Sequence, residues 1–307
     1  MKHRTFLSLL WFLLATSGLH AQTKLVVMIA GKPSHGPGQH EHNAGITLLE
    51  RCLKQGSAQS VEVVKHLNGQ WPEEALLERA SCVVIYADGG RGHPALKEGR
   101  LAGLERHMKR GCGLVAIHYA VEPTKELGQR EFIDWMGGCF EIDWSVNPHW
   151  QAEFTALPAH PISQGVKPFS TLDEWYFHMR FRGGMQGVTP ILQAKAPEAT
   201  MGRPDGAHSG NPFVRKAVAA GEPQIVAWAA ERSGGGRGFG FTGGHFHKGW
   251  GHPDQRRLVL NAILWCSQAT VPQGGVASEV SEDDLKANLD PKPGQGLPEK
   301  PKTAKKP

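Results

Sequence analysis

Four short apolar runs, each separated from the next by a helical pattern, constrain this chain more than any other feature. They are KLVVMIAG (24–31), VEVVKHL (61–67), SCVVIYADGG (81–90) and GLVAIHYA (113–120). KLVVMIAG, ending in glycine, reads as a buried strand, VEVVKHL alternates enough for a second, SCVVIYADGG is a third that runs into a glycine loop, and GLVAI is the fourth. Between them, Ile46, Leu49 and Leu53 recur at helical spacing, and Pro72 opens a short acidic helix. After Pro94, residues Leu101, Leu104 and Met108 share one face, and Gly111 ends that helix. Strands alternating with helices at this spacing imply parallel pairing with right-handed crossovers. The expected fold class is α/β, an open, mostly parallel sheet with helices on both faces.

The second half is less regular. HWQAEFTAL (149–157) alternates like a strand with one exposed face, and an irregular Pro- and Gly-rich insertion runs from Pro158 to Gly221. TPILQA, PQIVAWAAE and GRGFGFTGG read as further strands, and Asp254–Cys266 as a closing helix with Leu258, Ile263 and Leu264 near its apolar side. The domain is expected over residues 22–270. Residues 271–307, mostly polar with Pro, Gly and Lys, are expected to form a disordered tail.

The first residues have the layout of a targeting segment. Lys2 and Arg4 precede the apolar run Phe6–Ala15, and Ala21 offers a small residue at a cleavage point. Residues 1–21 are therefore expected to be a signal peptide, and the run is too short for a comfortable membrane span. The mature chain is expected to be exported, periplasmic or extracellular, with no stable membrane insertion. The net charge of +5 is weak ground for a nucleic-acid partner, because KPKTAKKP (300–307) carries four of the lysines. Five cysteines occur without a CxxC pair, so neither a disulfide framework nor a cysteine metal site is expected.

GLVAIHYA places an imidazole where its strand stops. In a sharp strand–turn–helix the tip residue is strained, and the residues two positions away pass close together, so both must be small. Here the frame reads Ala116-Ile117-His118-Tyr119-Ala120, with His118 at the tip and a helix N-terminus expected behind it. Other strand ends carry related chemistry: His35, His40, Glu41 and His42 after the first, Asp88 after the third, His245 and His247 after the late one. Loops at the carboxyl ends of a doubly wound sheet line one crevice, which would gather these residues.

With the histidine loop after the first strand, GLVAIHYA, LDEWYFH (172–178) and the late Gly-Gly-His in order, the chain resembles the trehalose-utilisation ThuA-like family over roughly residues 24–267. These proteins are relatives of class I glutamine amidotransferases with a flavodoxin-like fold. The resemblance implies that scaffold and an association with carbohydrate metabolism. Two departures speak against amidotransferase chemistry. His118 stands where those enzymes carry a nucleophilic cysteine, and His245-Phe246-His247 stands where they carry His-Pro-Glu.

The candidate catalytic residues are His118, His245 and Glu174, with Asp173 as the alternative carboxylate. Imidazoles at the rim serve either as acid and base or as ligands. With His35 as third nitrogen ligand, His118 and His245 form a candidate site for a divalent metal such as zinc. Of His40 and His42, His42 is the one expected to point inward. His42, Asp88, Tyr119, Tyr176 and His247 are the candidates for holding substrate, and Trp175 and Tyr176 are either a sugar platform or core. His160, before proline, reads as structural, His66, His93 and His107 as surface or loop residues, and SGGGRGFG (233–240) as a turn rather than a phosphate loop. The expected activity is hydrolysis or elimination on a sugar or oxidised sugar, with a small-molecule carbohydrate as partner. The alternative is a sugar-binding or scaffold protein without turnover.

Overall fold

A computed structural model describes residues 23–56 and 60–292, so the expected signal peptide lies outside the described residues. In chain order the elements are β1 (Lys24–Ala30), α1 (His42–Gly56), β2 (Val61–His66), α2 (Glu74–Arg79), β3 (Cys82–Tyr86), α3 (Arg100–Lys109), β4 (Gly113–Ile117), α4 (Gln129–Met136) and β5 (Gly138–Cys139). They continue with β6 (Trp150–Phe154), β7 (Phe169–Asp173), β8 (Arg180–Phe181), β9 (Val188–Lys195), α5 (Pro212–Ala219), β10 (Pro223–Glu231), β11 (Arg237–Phe241), α6 (Pro253–Cys266) and α7 (Glu282–Lys286).

The central sheet has seven strands in the order β2-β1-β3-β4-β11-β10-β9. Pairs from β2 through β11 are parallel, while β10 runs antiparallel to both its neighbours. This is the expected flavodoxin-like α/β arrangement with an antiparallel extension. β1, β3 and β4 read as continuous apolar runs because both their faces are covered. Along β1, Val26, Met28 and Ala30 join the core on one side, whereas Leu25, Val27 and Ile29 join the other. Helices α1 and α6 supply the first core, and α3 and α4 the second.

Chain order reverses between β1 and β3, the switch point at which ligands bind in open α/β sheets. The loops leaving β1, β3, β4 and β11 all emerge at that edge. Strand β7 of the irregular insertion pairs with β6 as a two-stranded ribbon, whose last residue, Asp173, reaches the same edge. Helices α4 and α5 and strand β7 are not marked in the sequence pattern, since each is short and lies within Gly- and Pro-rich surroundings.

One expectation is overturned within the described residues. Residues 271–292 are not a disordered tail: they pack back on the domain. Val276 is buried and donates its N–H to Asn261 Oδ1, Ser281 caps α7 in a reciprocal capping box, and Asp290 and Lys292 are buried. Few apolar residues mark this segment, because its anchors are polar. Residues 293–307 lie outside the described residues.

Candidate functional site

The tip of β4 has the strained geometry that its sequence demands. His118 has φ of 56°, in the left-handed region, and Ala116 and Ala120 are both fully buried. The element behind the tip differs from expectation: a four-residue 3-10 turn (His118–Val121) replaces a helix N-terminus, and α4 begins only at Gln129. The turn is braced instead by side chains. His93, expected at the surface, is fully buried; its Nε2 donates to the Ala120 carbonyl, and its Nδ1 accepts from the Ala95 N–H. His107 is likewise buried. Gly89 is required where β3's loop crosses the turn, since a Cβ there would sit 2.2 Å from the Tyr119 carbonyl oxygen.

Four side chains from four loops converge beneath this turn. His40 Nε2 lies 3.1 Å from His118 Nε2 and 3.1 Å from His245 Nδ1. Glu174 Oε2 lies 2.9 Å from His245 Nδ1 and 3.5 Å from His118 Nε2. Tyr176 Oη stands 3.3 Å from both His118 Nε2 and Glu174 Oε2. Asp173 is fully buried and accepts the N–H groups of Gly244, His245 and Glu174, which locks the late Gly-Gly-His turn against the LDEWY segment. Asp173 is thus the brace, and Glu174 is the carboxylate that faces the histidines.

The positions of the ring protons decide what this cluster can hold. His118 Nδ1 lies 2.8 Å from the Thr242 carbonyl, which can only accept, so that nitrogen carries the hydrogen. His40 Nδ1 lies 2.8 Å from Asp88 Oδ1 and donates for the same reason. Both protons are therefore committed to the far edges of the rings, and two bare Nε2 lone pairs face each other at 3.1 Å. A shared cation would resolve this conflict. Ligand atoms about 2.0–2.1 Å from a tetrahedral ion stand roughly 3.3–3.5 Å apart, and the cluster's separations bracket that value. The carboxylate–imidazole arrangement from Asp88 to His40 is the kind that orients a metal ligand.

Without an ion, a proton takes the place. Burial alone would lower His118, but the hydrogen bond and charge of Glu174 outweigh it and raise that imidazole above its ordinary value. Burial, reinforced by the neighbouring His118 and His35 rings, holds His40 far below its own. Glu174 is pushed up by burial, yet the hydrogen bonds of His118 and His245 bring it well below the usual carboxylate range. The carboxylate is ionised at neutral pH, as a metal ligand must be.

The other predicted residues divide between the cluster's surroundings and the core. His35 is not in the cluster; it is half-exposed and stacks on His40, ring centroids 3.6 Å apart, and His40 takes the position expected of it. His42 does not point inward: its ring is buried at the start of α1, with Nδ1 donating to the Lys32 carbonyl. The reason is backbone conformation, since His40 has φ of 45°, which turns its ring toward the crevice just before the helix begins. Asp88 touches the cluster through His40, and the Tyr119 ring lies 6.1 Å from that of His40. His247 faces away, lining a separate cavity with Gln39 and Leu285. Trp175 is core, and His160 caps a 3-10 turn by accepting the Ile162 N–H.

Above the cluster lies a cavity of about 330 Å³, lined by Asn147, His149, Glu174, Thr200 and Arg203 among others. Its size is at the small end of small-molecule sites. His149 Nε2 is 3.8 Å from Glu174 Oε1, so this carboxylate turns one oxygen to the cluster and the other to the cavity. A further pair was not legible in sequence: Glu122, buried, takes His208 Nε2 at 3.0 Å on both oxygens, 86 residues away.

The model of the trehalose-utilisation (ThuA) family matches residues 26–266. The chain belongs to the ThuA family. Two solved structures share the fold of this ThuA-family chain. A protein described as ThuA-like from Bacteroides uniformis ATCC 8492 is 14% identical with a TM-score of 0.55, covering 80% of this chain and 93% of that one. Another described in the same words, from Parabacteroides merdae ATCC 43184, is 16% identical with a TM-score of 0.50, covering 85% and 94%. Among curated proteins, no sequence matches.

The ThuA match ends at residue 266, yet the site is held by residues beyond it. Lys292 Nζ donates to the carbonyls of Ser34, Gln39 and His40 at 2.9, 2.7 and 3.3 Å, and stands 3.5 Å from Glu41 Oε1. Both side chains are 1% exposed. Asp290 donates its N–H to Glu41 Oε2 and accepts the Asn43 amide. The loop that carries His40 is thus fastened from outside by the chain's own C-terminal segment.

Proposed function

We propose that this ThuA-family protein is an exported, metal-assisted enzyme of carbohydrate conversion. His40, His118 and His245 would hold a divalent metal such as zinc, with Glu174 at the fourth position. Its reaction would be hydrolysis or elimination at a sugar or oxidised-sugar centre bound in the cavity above Glu174. The observation that carries the reading is the pair of bare imidazole nitrogens facing each other beside an ionised carboxylate. Export is supported by the targeting layout of residues 1–21, and the substrate class by the family.

When bound, a divalent ion there supplies Lewis-acid polarisation of a sugar oxygen. Asp88 and the Thr242 carbonyl hold the two histidines in the tautomer that presents Nε2. Glu174 contributes a fixed negative charge, and Tyr176 Oη can donate to it. His149, half-exposed beside Glu174 Oε1, is the group placed to carry a proton to or from a substrate in the cavity.

The test is metal content and sugar turnover together. Metal-free protein equilibrated with zinc should retain the ion after dialysis, and His118→Ala should lose it along with turnover of a panel of disaccharides and oxidised disaccharides. Folded wild-type protein that keeps no ion at saturating zinc removes the reading. One observation favours a rival: four buried donor atoms close on one another, as in structural rather than catalytic zinc sites. Retained zinc with sugar binding but no turnover across the panel would select that non-catalytic alternative.

A further inference from the structure

The loop between residues 201 and 212, which supplies part of the cavity wall, has little apolar hold on the protein. Residues 202–207 are all exposed. Arg215 of α5 ties the start of the loop, donating to the carbonyls of Met201 and Arg203 and to Asp205 Oδ1. What ties it to the rim of the sheet is His208. The His208 Nε2 stands 3.0 Å from both carboxylate oxygens of Glu122, so that nitrogen carries the hydrogen. Glu122 itself is 3% exposed. The imidazole also stacks on Phe140, ring centroids 5.1 Å apart. His208 has φ of 62°, a left-handed conformation that persists in a residue with a Cβ only where its surroundings hold it.

Both ends of this pair lead to the site. Glu122 follows the turn that begins at His118; its N–H donates to the Tyr119 carbonyl, and its own carbonyl accepts the N–H of Gly90 after β3. On the other side, the His208 carbonyl accepts the Asn147 N–H at 3.1 Å and Arg203 Nη2 at 2.7 Å. The same Arg203 Nη2 donates to Asn147 Oδ1 at 2.8 Å. Asn147 and Arg203 line the cavity above Glu174. A continuous run of hydrogen bonds therefore leads from the His118 turn, through Glu122 and His208, to two polar residues of the cavity wall. None of it passes through the four side chains of the cluster.

We propose that Glu122 and His208 form a latch that fixes the cavity wall against the His118 turn, and so sets how tightly the cavity holds its occupant. Both are positioning residues, acting through Asn147 and Arg203 and not on the reacting atoms. That the occupant is a sugar rests on the function proposed above; that the pair holds the wall rests on this geometry alone. Releasing the latch loosens a loop with little buried apolar surface to restrain it. His118 keeps its own strand, so the cluster stays in place.

Zinc-loaded full-length protein carrying His208→Asn tests the latch. Asparagine tolerates the left-handed backbone and ends short of Glu122, so the tie is removed without added backbone strain. The KM for a sugar turned over by wild type should rise at least about tenfold, with kcat and zinc per chain unchanged. Backbone hydrogen exchange should quicken across residues 199–211 and not across β4. Glu122→Gln keeps an oxygen to accept from His208 and should stay near wild type in both readouts. Unchanged exchange at residues 199–211 in His208→Asn overturns the latch. Equal quickening in β4, or a fall in kcat with KM unchanged, overturns it as well. A wild type that turns over no sugar removes the functional reading and leaves exchange to decide the latch, which quickening confined to residues 199–211 sustains.

Discussion

The turn after β4 and the loop after β1 deliver neighbouring histidines by opposite means. His118 is held by its own strand, by two small alanines and by a buried histidine, His93, all within one continuous stretch of the core. His40 sits in a glycine-rich loop whose carbonyls are gathered by the ammonium of Lys292, 252 residues further along. The first device belongs to the fold itself. The second is an attachment, and it can change without touching the sheet. A site assembled from both is only as ordered as its more loosely supported half.

The comparison can be broken first at its shared hinge. Asp173→Ala would leave the N–H groups of Gly244, His245 and Glu174 unsatisfied in a buried turn, at a cost of roughly 3–5 kcal/mol. Denaturant unfolding should show a global loss of that order; a loss below about 1 kcal/mol would mean that Asp173 is not the brace described.

Lys292→Met should act more locally. It strands Glu41 and three loop carbonyls, so metal affinity should fall on the order of 10- to 100-fold. Hydrogen exchange should rise across residues 34–42 and stay unchanged in β4. Equal loosening of both regions would erase the distinction between them.

The smallest effect concerns the surroundings of the cavity. Glu122's hydrogen bond raises the His208 pKa above its ordinary value against the opposing pull of burial. A group raised on folding contributes stability that is complete below its unfolded value, about pH 6.5, and is lost as pH rises through its folded value. His208→Ala should therefore flatten the decline in stability above about pH 6.5 without altering metal content. An unchanged slope in denaturant unfolding across that range would show that the pair carries no such linkage.

Much of the scaffold could be read from residues alone. The runs that form β1, β3 and β4 are buried on both faces, so their strand character needs no partner to be visible, the edge strand β2 shows instead by its alternation, and the alanines flanking His118 record the tight turn directly. Glu174 and His245 could be named because they stand beside strand ends. The choice between His40 and His42 fell on the wrong one, because two histidines separated by one residue look alike until a positive φ decides which ring turns inward. Residues 271–292 misled for another reason. Their burial rests on Asp290 and Lys292, and a composition rich in Pro, Gly and Lys is the usual mark of a solvated tail. Glu122 and His208 carry no local signal at all; only tertiary structure brings them together.

The fastening by Lys292 bears on how the molecule can be cut. A fragment ending after Cys266, where the family match stops, would retain every strand and all four cluster side chains. Its far-UV dichroism would look native, and its first histidine loop would hang free, so an assay on such a fragment would report an inert protein when what was missing was the pin.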